Sequence, residues 1–530
     1  MRLPELIADL PVAGDVDAMV EVSGVQHDSR NVVAGDLFAA LPGARHDGRR
    51  FAPEAVARGA VAVLAAAPAE QRVEVPWLLA ERPRELLAPL AHRLYGRPDL
   101  EMTMVGVTGT NGKSTVVWVC QAILEAAGMP TARLGTLAYS FRDLELPAQR
   151  TTPEVSDLVR LLRTMRDRGA VAACMEASSH SLVLERLGET QFDVAVLTNL
   201  TRDHLDFHGT MEEYYLAKRR LFTERLKAGG AAVVNVADPY GKRLFAELSA
   251  DGLGRPLPLE GQGDGGIGVR RSPGEGVGRV AAARSARGGG LVSYGDGGDV
   301  RALETTLDQR GIHGRVATPR GELALETPLL GPFNLENVLA AIAVGEALEL
   351  PQEAIVAGLA AVAPVPGRME PIDRGQPFPV FIDYAHTDDG LRNALTAVRA
   401  IAPGRRVMVV FGCGGDRDSG KRPLMGKVAG ELADLIVVTS DNPRSEDPQA
   451  IMVAIEEGVR ASGNSSYRML PDRRDAIRRA MAIAGPAWAV LIAGKGNEDG
   501  QEIAGVKHPF SDRAEAEQAL EERKDAAYGG

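Results

Sequence analysis

Short apolar runs alternate with stretches of helical spacing along most of this chain, and many of the runs end in polar residues. A strand buried on both faces has such a continuous apolar run, so the pattern predicts an α/β fold with mostly parallel sheets covered by helices. The carboxyl ends of parallel strands share one edge, and we expect the polar clusters behind them to converge there. The runs predicted as strands of this kind are 171–175, 194–197, 231–236, 380–382, 407–411, 435–439 and 488–493.

The stretch 102–115, M-T-M-V-G-V-T-G-T-N-G-K-S-T, joins an apolar run to a glycine-rich turn, and helical spacing follows over 116–127. Backbone N–H groups of such a turn can cradle phosphate oxygens, Lys113 can reach the terminal phosphates, and the hydroxyl of Ser114 or Thr115 can ligate Mg²⁺. Thr108 stands where the usual pattern has Gly, a small departure. The turn predicts nucleotide binding by Gly109, Thr110, Asn111, Gly112, Lys113, Ser114 and Thr115.

Chain length predicts several α/β units, because 530 residues exceed what one hydrophobic core supports. We assign an N-terminal unit to 1–98, a central unit around the phosphate loop to 99–364 and a C-terminal unit to 365–530. The loop at 43–50, G-A-R-H-D-G-R-R, is rich in donors but is also typical of a solvated turn. The Gly- and Arg-rich segment at about 252–300 predicts surface loops or hairpins without assigned chemistry.

Composition and charge narrow the class of protein. No apolar run approaches the ~20 residues of a membrane span, and the N-terminus lacks the apolar region of a signal peptide, so we expect a cytoplasmic protein without membrane partners. A net charge of −11 argues against a nucleic-acid partner. Cys120, Cys174 and Cys413 form no C-x-x-C pair, so we expect buried free thiols. We expect a monomer that acts on small molecules.

Several motifs follow the phosphate loop in an order that resembles the Mur ligases of peptidoglycan synthesis. They are M-E-A-S-S-H at 175–180, D-H-L-D-F-H-G at 203–209, F-N-L-E-N-V-L-A-A at 333–341, D-Y-A-H-T at 383–387, D-N-P-R-S-E-D-P at 441–448 and G-K-G-N-E at 494–498. The resemblance begins at D-S-R, 28–30, and so covers nearly the whole chain. It implies an N-terminal uridine-nucleotide domain, a central ATPase domain and a Rossmann-like C-terminal domain that brings an amino acid.

The resemblance also implies the chemistry and the residues that perform it. ATP phosphorylates a carboxylate, and an amine then displaces the phosphate. Lys113 serves the terminal phosphates, and Glu176 and His204 bind Mg²⁺, although hard oxygen ligands suit this ion better than an imidazole. Lys218 of Y-L-A-K-R-R-L-F occupies the place of a carbamylated lysine, N6-carboxylysine, which would hold a second Mg²⁺. From its sequence context alone Lys218 is typical of a lysine on a helix surface.

For the substrate UDP-MurNAc-L-Ala-D-Glu, the resemblance implies two groups of binding residues. Positive side chains suit phosphates and carboxylates, which fits Arg45 and Arg186. Leu184 stands where a Gln can occur in the family, and we leave it out. The uridine nucleotide is assigned to His27, Ser29, Ala44, Arg45 and His46, and the muramoyl peptide to Thr151, Thr152, Ser178 and Arg186.

The D-N-P-R motif predicts the amino acid that is added. In this family it marks users of meso-diaminopimelate, whose second carboxylate a guanidinium can hold bidentately. Asn497 replaces the usual His of G-K-G-H-E, which leaves any role of the imidazole open. The residues implied in binding meso-diaminopimelate are Arg417, Asp441, Asn442, Pro443, Arg444, Gly494 and Glu498.

The base and ribose of ATP are assigned to Asn337, Arg368 and His386, while Asp388 replaces the usual Pro after D-Y-A-H-T. Two alternatives remain. A folylpolyglutamate synthetase shares the phosphate loop and the acyl-phosphate route, but lacks the N-terminal uridine domain and D-N-P-R. A P-loop switch or transport ATPase, or a binding protein without catalysis, would need no amino-acid pocket. The ligase interpretation also predicts that the domains close on their ligands.

Overall fold

The computed structural model describes residues 1–14, 16–17, 19–43, 46–253 and 290–528, without the side chains of 525–528. Ala44, Arg45 and most of the predicted surface segment at about 252–300 therefore lie outside the described residues. No described helix is long and apolar enough to cross a membrane. The described chain folds into successive α/β units, in agreement with the predicted fold class.

The N-terminal unit is a small sheet in the order β1-β5-β4-β3-β2, parallel except for β1. Side chains alternate across it: Leu37 and Ala39 face one hydrophobic cluster, and Phe38 and Ala40 face another. Its elements are α1 Leu3–Ile7, β1 Ala13–Gly14, β2 Gly24–Gln26, β3 Asp36–Ala40, α2 Ala52–Ala57, β4 Ala62–Ala65, β5 Trp77–Leu79 and α3 Leu87–Tyr95.

The central unit is a larger sheet in the order β13-β12-β11-β6-β10-β7-β8-β9, parallel from β13 to β7 and antiparallel beyond. Val105 and Val107 face one buried cluster while Met104 faces the other, so helices cover both faces. Its elements are α4 Pro98–Glu101, β6 Thr103–Thr108, α5 Lys113–Ala126, β7 Thr131–Leu134, β8 Ala138–Phe141, β9 Leu144–Pro147, α6 Val155–Asp167, β10 Ala172–Glu176, α7 Ser179–Val183, β11 Phe192–Leu197, α8 Leu205–His208, α9 Met211–Glu224, β12 Leu226–Asn235, α10 Pro239–Ala250 and β13 Gly290–Tyr294.

An antiparallel sheet follows β13 and packs on the same cluster as the phosphate-loop helix. Its strands pair in the order β14-β15-β16, and Ile312 and Val316 belong to the core cluster that contains Val116. The elements are β14 Arg301–Asp308, β15 Gly311–Thr318, β16 Gly321–Thr327, α11 Pro332–Ala347 and α12 Gln352–Ala361.

The C-terminal unit has a sheet in the order β17-β18-β22-β19-β20-β21, parallel except for β17. The neighbouring strands β18, β22, β19 and β20 all end at one edge. The elements are β17 Glu370–Ile372, β18 Val380–Asp383, α13 Asp388–Ile401, β19 Arg406–Phe411, α14 Lys421–Leu432, β20 Leu435–Val438, α15 Pro448–Ala461, β21 Tyr467–Met469, α16 Arg473–Ile483, β22 Trp488–Ala493, β23 Gly500–Ile503, β24 Val506–Pro509 and α17 Asp512–Tyr528.

Most predicted strands are present within a residue or two of their expected ends, and two differences stand out. The helix after the phosphate loop begins at Lys113 rather than at residue 116, so the lysine belongs to its first turn. Residues 290–294, predicted as part of a surface loop, instead form β13, which pairs in parallel with β12 and is largely buried. This short apolar strand, G-L-V-S-Y, directly follows a Gly-rich stretch, so the sequence pattern did not distinguish it from the predicted loop. The unit boundaries at 98 and 364 stay a prediction.

Candidate active site

The phosphate loop connects β6 to α5, so its backbone amides lie at the N-terminus of that helix. Gly109 and Gly112 have φ of 145° and 86°, in the left-handed region that favours glycine. Lys113 Nζ donates to the carbonyl oxygens of Gly109 and Thr110 at 3.0 and 2.9 Å, and burial lowers the pKa of this lysine. The ammonium group is therefore held beside the amides of the loop, as a phosphate cradle requires.

A cleft of about 410 Å³ opens above this loop, between the central strand ends and the C-terminal unit. Asn111 Nδ2 donates to Asp389 Oδ2 across the cleft at 3.1 Å. On the C-terminal side, the Arg368 guanidinium lies 4.4 Å from the centroid of the Tyr384 ring, and burial lowers the pKa of His386. The predicted ATP residues in this cleft are Thr110, Asn111, Gly112, Lys113, Ser114, Thr115, Asn337, Arg368 and His386.

The Asn residues near the start of α11 do not cap that helix. The N-cap residue is Gly331, and its helix end has no side-chain cap. Asn334 Nδ2 donates to the Leu330 carbonyl at 2.8 Å, and its Oδ1 accepts from Asn337 Nδ2 at 3.0 Å. These bonds hold Asn337 against Gly112 of the phosphate loop.

Hard oxygen donors lie beside the loop, where the sequence predicts Mg²⁺. Ser114 Oγ donates to Glu176 Oε1 at 2.9 Å, and the Thr136 N–H and hydroxyl bind the same carboxylate at 2.8 and 3.2 Å. Among the described residues, no group of three or more His, Cys, Asp or Glu side chains is arranged to hold a metal. The donors still fit Mg²⁺, which binds through one or two carboxylates together with substrate phosphates.

Lys218 and His204 lie on the other side of the loop. Lys218 is 2% exposed on α9, and its Nζ donates to the Gly109 carbonyl at 2.8 Å. Burial, and then the charge of Lys113, holds the pKa of Lys218 well below its usual value. His204 has φ of 53°, and its Nε2 lies 3.3 Å from a carboxylate oxygen of Asp203. Lys218 is therefore not the surface lysine that its context suggests, and its lowered pKa favours the neutral amine.

The guanidinium groups predicted to bind the amino acid lie at the carboxyl edge of the C-terminal sheet. Arg444 has φ of 52°, its Nη1 donates to the Gly415 carbonyl at 2.6 Å, and its Nε is 3.2 Å from the Glu502 carboxylate. Arg417 follows Gly415 by two residues and is exposed, with Nη1 3.4 Å from the Asp416 carbonyl. The structure therefore brings Arg444 to the loop that carries Arg417.

The rest of the predicted amino-acid group surrounds one carboxylate. Glu498 Oε2 accepts from Lys495 Nζ at 2.7 Å and from Asn442 Nδ2 at 2.8 Å, and Lys495 is fully buried. Gly494 has φ of 114°, and a Cβ there would lie 2.7 Å from Asp441 Oδ2. Glycine thus allows the G-K-G-N-E and D-N-P-R loops to touch. Pro443 lies between Asn442 and Arg444 in the D-N-P-R loop.

The predicted uridine-nucleotide residues follow β2 in the N-terminal unit. His27 Nδ1 lies 3.3 Å from Ser156 Oγ of α6, so it faces the central unit. Ser29 Oγ donates to Glu54 Oε2 at 3.1 Å. His46 lies apart, edge-on to the Phe51 ring at a centroid distance of 6.3 Å.

Of the predicted muramoyl-peptide residues, Thr151, Thr152 and Ser178 lie at the cleft near Glu176, whereas Arg186 lies beside Glu154. Thr152 Oγ1 donates to the Glu176 carbonyl at 2.8 Å, and Thr151 and Ser178 line the cleft itself. Arg186 Nε is buried, 3.8 Å from Glu154, and has no hydrogen-bond partner among the described residues. An open guanidinium donor at this point suits a carboxylate ligand.

Comparisons with known proteins match each unit of the chain in turn. Models described as "Mur ligase family, catalytic domain", "Mur ligase middle domain" and "Mur ligase, glutamate ligase domain" match residues 21–95, 107–254 and 367–496. A UDP-N-acetylmuramoyl-L-alanyl-D-glutamate–2,6-diaminopimelate ligase of Geobacter metallireducens is 41% identical over 551 residues, covering 100% of both chains. The chain belongs to the Mur ligase family.

Further relatives of this Mur ligase carry the same name. The enzyme of Geobacillus kaustophilus is 42% identical and covers 99% of this chain and 100% of its own. A solved structure of a UDP-N-acetylmuramoyl-L-alanyl-D-glutamate–2,6-diaminopimelate ligase matches with a TM-score of 0.63, 30% identity and 99% coverage of both chains. The resemblance found in the motifs is confirmed, and so is the three-part Mur ligase architecture.

Several residues of this Mur ligase cleft were absent from the sequence prediction. Thr136 and Asp203 line the cleft, and Asp389 and Glu336 do so from α13 and α11. The Asp203 side chain is adjacent to His204 in the D-H-L-D motif, which was a usable signal. Thr136 and Glu336 gave none, because their contacts in the cleft arise only from folding.

Proposed function

We propose that this protein is an ATP- and Mg²⁺-dependent ligase of the cytoplasm that adds meso-diaminopimelate to UDP-MurNAc-L-Ala-D-Glu. The observation that carries the proposal is a single cleft in which the phosphate loop meets Arg368 and His386 of the C-terminal unit. Full-length similarity to relatives bearing this name supports the substrates. The protein acts as a monomer in this proposal.

Activation of the substrate carboxylate requires charge stabilisation and exact positioning. A carboxylate oxygen of D-glutamate attacks the γ-phosphorus, the bond to the β-phosphate oxygen breaks, and ADP leaves. Lys113 neutralises the terminal phosphates and the loop amides orient them. Ser114, Thr115, Glu176 and His204 would hold Mg²⁺, which shields the phosphate charge from the incoming carboxylate.

Lys218 contributes to this site as a carbamate in our proposal. Its buried position and lowered pKa favour the neutral amine, which adds CO₂ and loses a proton to become an anion. An anion beside Gly109 would also balance the charge of Lys113 across the loop. Lys218 thereby becomes a further oxygen ligand for Mg²⁺.

Amide formation follows when the amine of the incoming amino acid attacks the acyl carbon. The carbon–oxygen bond to phosphate breaks, phosphate leaves with the former carboxylate oxygen, and the amine loses a proton. Arg444 and Arg417 bind the carboxylate at the far end of meso-diaminopimelate. Glu498, held by Lys495 and Asn442, accepts from the amino group of the same centre, beside Asp441, Pro443 and Gly494.

The muramoyl substrate reaches the cleft from the N-terminal unit. Thr151, Thr152, Ser178 and Arg186 meet its peptide, and the open Nε–H of Arg186 donates to a carboxylate oxygen of the substrate. His27, Ser29 and His46 meet the uridine nucleotide, together with Ala44 and Arg45 outside the described residues. Substrate, ATP and amino acid then converge on Glu176 and Lys113.

One assay tests the proposed function. Phosphate release is measured with ATP, Mg²⁺ and UDP-MurNAc-L-Ala-D-Glu, adding meso-diaminopimelate, lysine or nothing. We expect release that requires the muramoyl substrate and is fastest with meso-diaminopimelate. Release independent of both would favour a switch or transport ATPase, and a preference for lysine would contradict the role of Arg444. A polyglutamate product on a folate substrate would favour a folylpolyglutamate synthetase.

A further inference from the structure

Glu336 is a cleft residue that the proposed mechanism leaves unused. It lies in the second turn of α11, one residue before Asn337, and lines the cleft with Phe333. Its Oε2 atom is buried and accepts no hydrogen bond from any residue in the part of the chain that the structure describes. An unpartnered buried carboxylate oxygen is costly, which makes it a site for a donor supplied by a ligand.

The polar groups around Glu336 already have partners of their own. Asn235 Nδ2 donates to the Thr198 carbonyl at 2.8 Å, and its Oδ1 accepts from the Ala237 N–H at 2.9 Å. The Tyr294 hydroxyl donates to the Leu197 carbonyl at 3.1 Å. Among the described residues, these two neighbours of Glu336 therefore have no unpaired donor to offer its free oxygen.

A glycine keeps space open beside this oxygen. Gly295 follows β13 with φ of 92°, and a Cβ there would lie 3.1 Å from Glu336 Oε2 and 2.7 Å from Asn235 Oδ1. Any larger residue would fill the space between the carboxylate and the strand end. Burial, and then the negative charge of Asp296, raises the pKa of Glu336, in keeping with a carboxyl group that lacks donors.

The sheet order sets Glu336 apart from the phosphate end of the cleft. The phosphate loop follows β6, whereas Gly295 follows β13, and the strands between them are β11 and β12. Three strand spacings correspond to roughly 14 Å. Asn337 contacts the loop at Gly112, and Glu336, the next residue back, faces away from it toward Gly295. In this inference, a nucleotide whose phosphates occupy the loop places its base at the end of the cleft that Gly295 and Glu336 line.

Bases differ at position 6, where a carboxylate acceptor would distinguish them. Adenine carries an amino group, which donates hydrogen bonds, whereas guanine carries a carbonyl oxygen, which accepts them, as does hypoxanthine. A site built around an acceptor rejects an analogue that presents another acceptor. Phe333 supplies a flat apolar wall for the ring next to Glu336.

We propose that Glu336 selects adenine over guanine and hypoxanthine by accepting a hydrogen bond from the 6-amino group of the base. This inference rests on the proposed ATP-dependent function and deepens it by naming the residue that chooses the nucleotide. A hydrogen bond to a charged acceptor corresponds to roughly 10- to 100-fold in affinity. Glu336 is thus a specificity determinant that touches the base and none of the reacting atoms.

The test is equilibrium binding of nucleotides to the full chain, measured by displacement of a fluorescent ATP analogue. We compare ATP, GTP and ITP on the wild type and on Glu336→Gln, whose amide can turn either its oxygen or its NH₂ toward the base. The wild type is expected to prefer ATP by about 10- to 100-fold, and Glu336→Gln to reduce that preference to about threefold. Glu353→Gln, the same change at an exposed position on α12, is expected to keep the wild-type ratio.

A second measurement needs no variant. Purine riboside triphosphate has hydrogen at position 6, and it should bind the wild type as weakly as ITP does. Equal binding of ATP and purine riboside triphosphate, or an unchanged ATP-to-GTP ratio in Glu336→Gln, would overturn this inference while the ligase function stands. A wild type that binds no nucleotide at all would overturn both.

Discussion

A fully buried ion pair lies beside the loops of the proposed amino-acid site. The Arg473 guanidinium binds the Asp512 carboxylate bidentately at 2.7 and 2.8 Å, and both side chains are inaccessible to solvent. The same guanidinium donates to the Ala493 carbonyl at 2.9 Å and to the Ser440 carbonyl at 3.3 Å. The Ala493 carbonyl ends β22 and the Ser440 carbonyl precedes D-N-P-R, so Arg473 links the two loops that are proposed to bind the amino acid.

Replacing Arg473 by Met should be severe, because it leaves a buried carboxylate without a partner. Breaking a buried pair in this way costs about 3–5 kcal/mol, and each carbonyl left unsatisfied adds about 1–3 kcal/mol. The double variant Arg473→Met/Asp512→Leu removes both charges and keeps only the loss at the carbonyls. It should therefore be more stable than the single variant by about 3 kcal/mol, with a KM for meso-diaminopimelate above that of the wild type.

Hydrogen exchange of the amides in β20 and β22 measures the local free energy of opening in this unit. Arg93→Met is the control, since this arginine donates to the carbonyls of Leu6 and Ala8, which lie in the N-terminal unit. A loss below about 1 kcal/mol for Arg473→Met, or a double variant as unstable as the sum of its parts, would refute the reasoning.

Three further predictions concern Lys218, Arg444 and His208. Lys218→Ala should abolish ligation, and ¹³C NMR of the wild type in ¹³C-bicarbonate should show a carbamate; a bare amine in the nucleotide-bound enzyme would contradict the assignment. Arg444→Lys should raise the KM for meso-diaminopimelate about 10- to 100-fold in steady-state assays, with no loss for lysine, since the bidentate contact is lost. Burial, and then His180, lowers the pKa of His208 to about 4, below the unfolded value near 6.5. Stability measured by urea unfolding should therefore fall as the pH decreases from 6.5 to 4, and less so in His208→Gln.

The sequence predicts the parts of this protein whose signals are local. The phosphate loop needs only a strand, glycines and Lys113 in series, and the buried strands of the C-terminal unit are continuous apolar runs. The strand β2, with three residues, and β13, beside a Gly-rich segment, offer weaker patterns. Local signals place the elements without showing which residues meet across them.

Long-range pairs account for what the sequence could not predict. Asn111 and Asp389 are 278 positions apart, and only the packing of the C-terminal unit on the loop brings them together. The burial of Lys218 likewise depends on α9 packing against the loop at Gly109. The polar residues next to Lys218 in the sequence do not indicate this burial. Glu336 was identified as a candidate only in the structure, because its buried Oε2 atom has no hydrogen-bond partner among the described residues.

The central claim is that ATP activates a substrate carboxylate as an acyl phosphate in the cleft above Lys113. Its most direct test labels the γ-carboxylate of D-glutamate in UDP-MurNAc-L-Ala-D-Glu with ¹⁸O and analyses the phosphate released during ligation by mass spectrometry. Since phosphate departs with one former carboxylate oxygen, the account predicts one ¹⁸O transferred to phosphate for each amide formed. Phosphate free of label, released while labelled tripeptide accumulates, would contradict it.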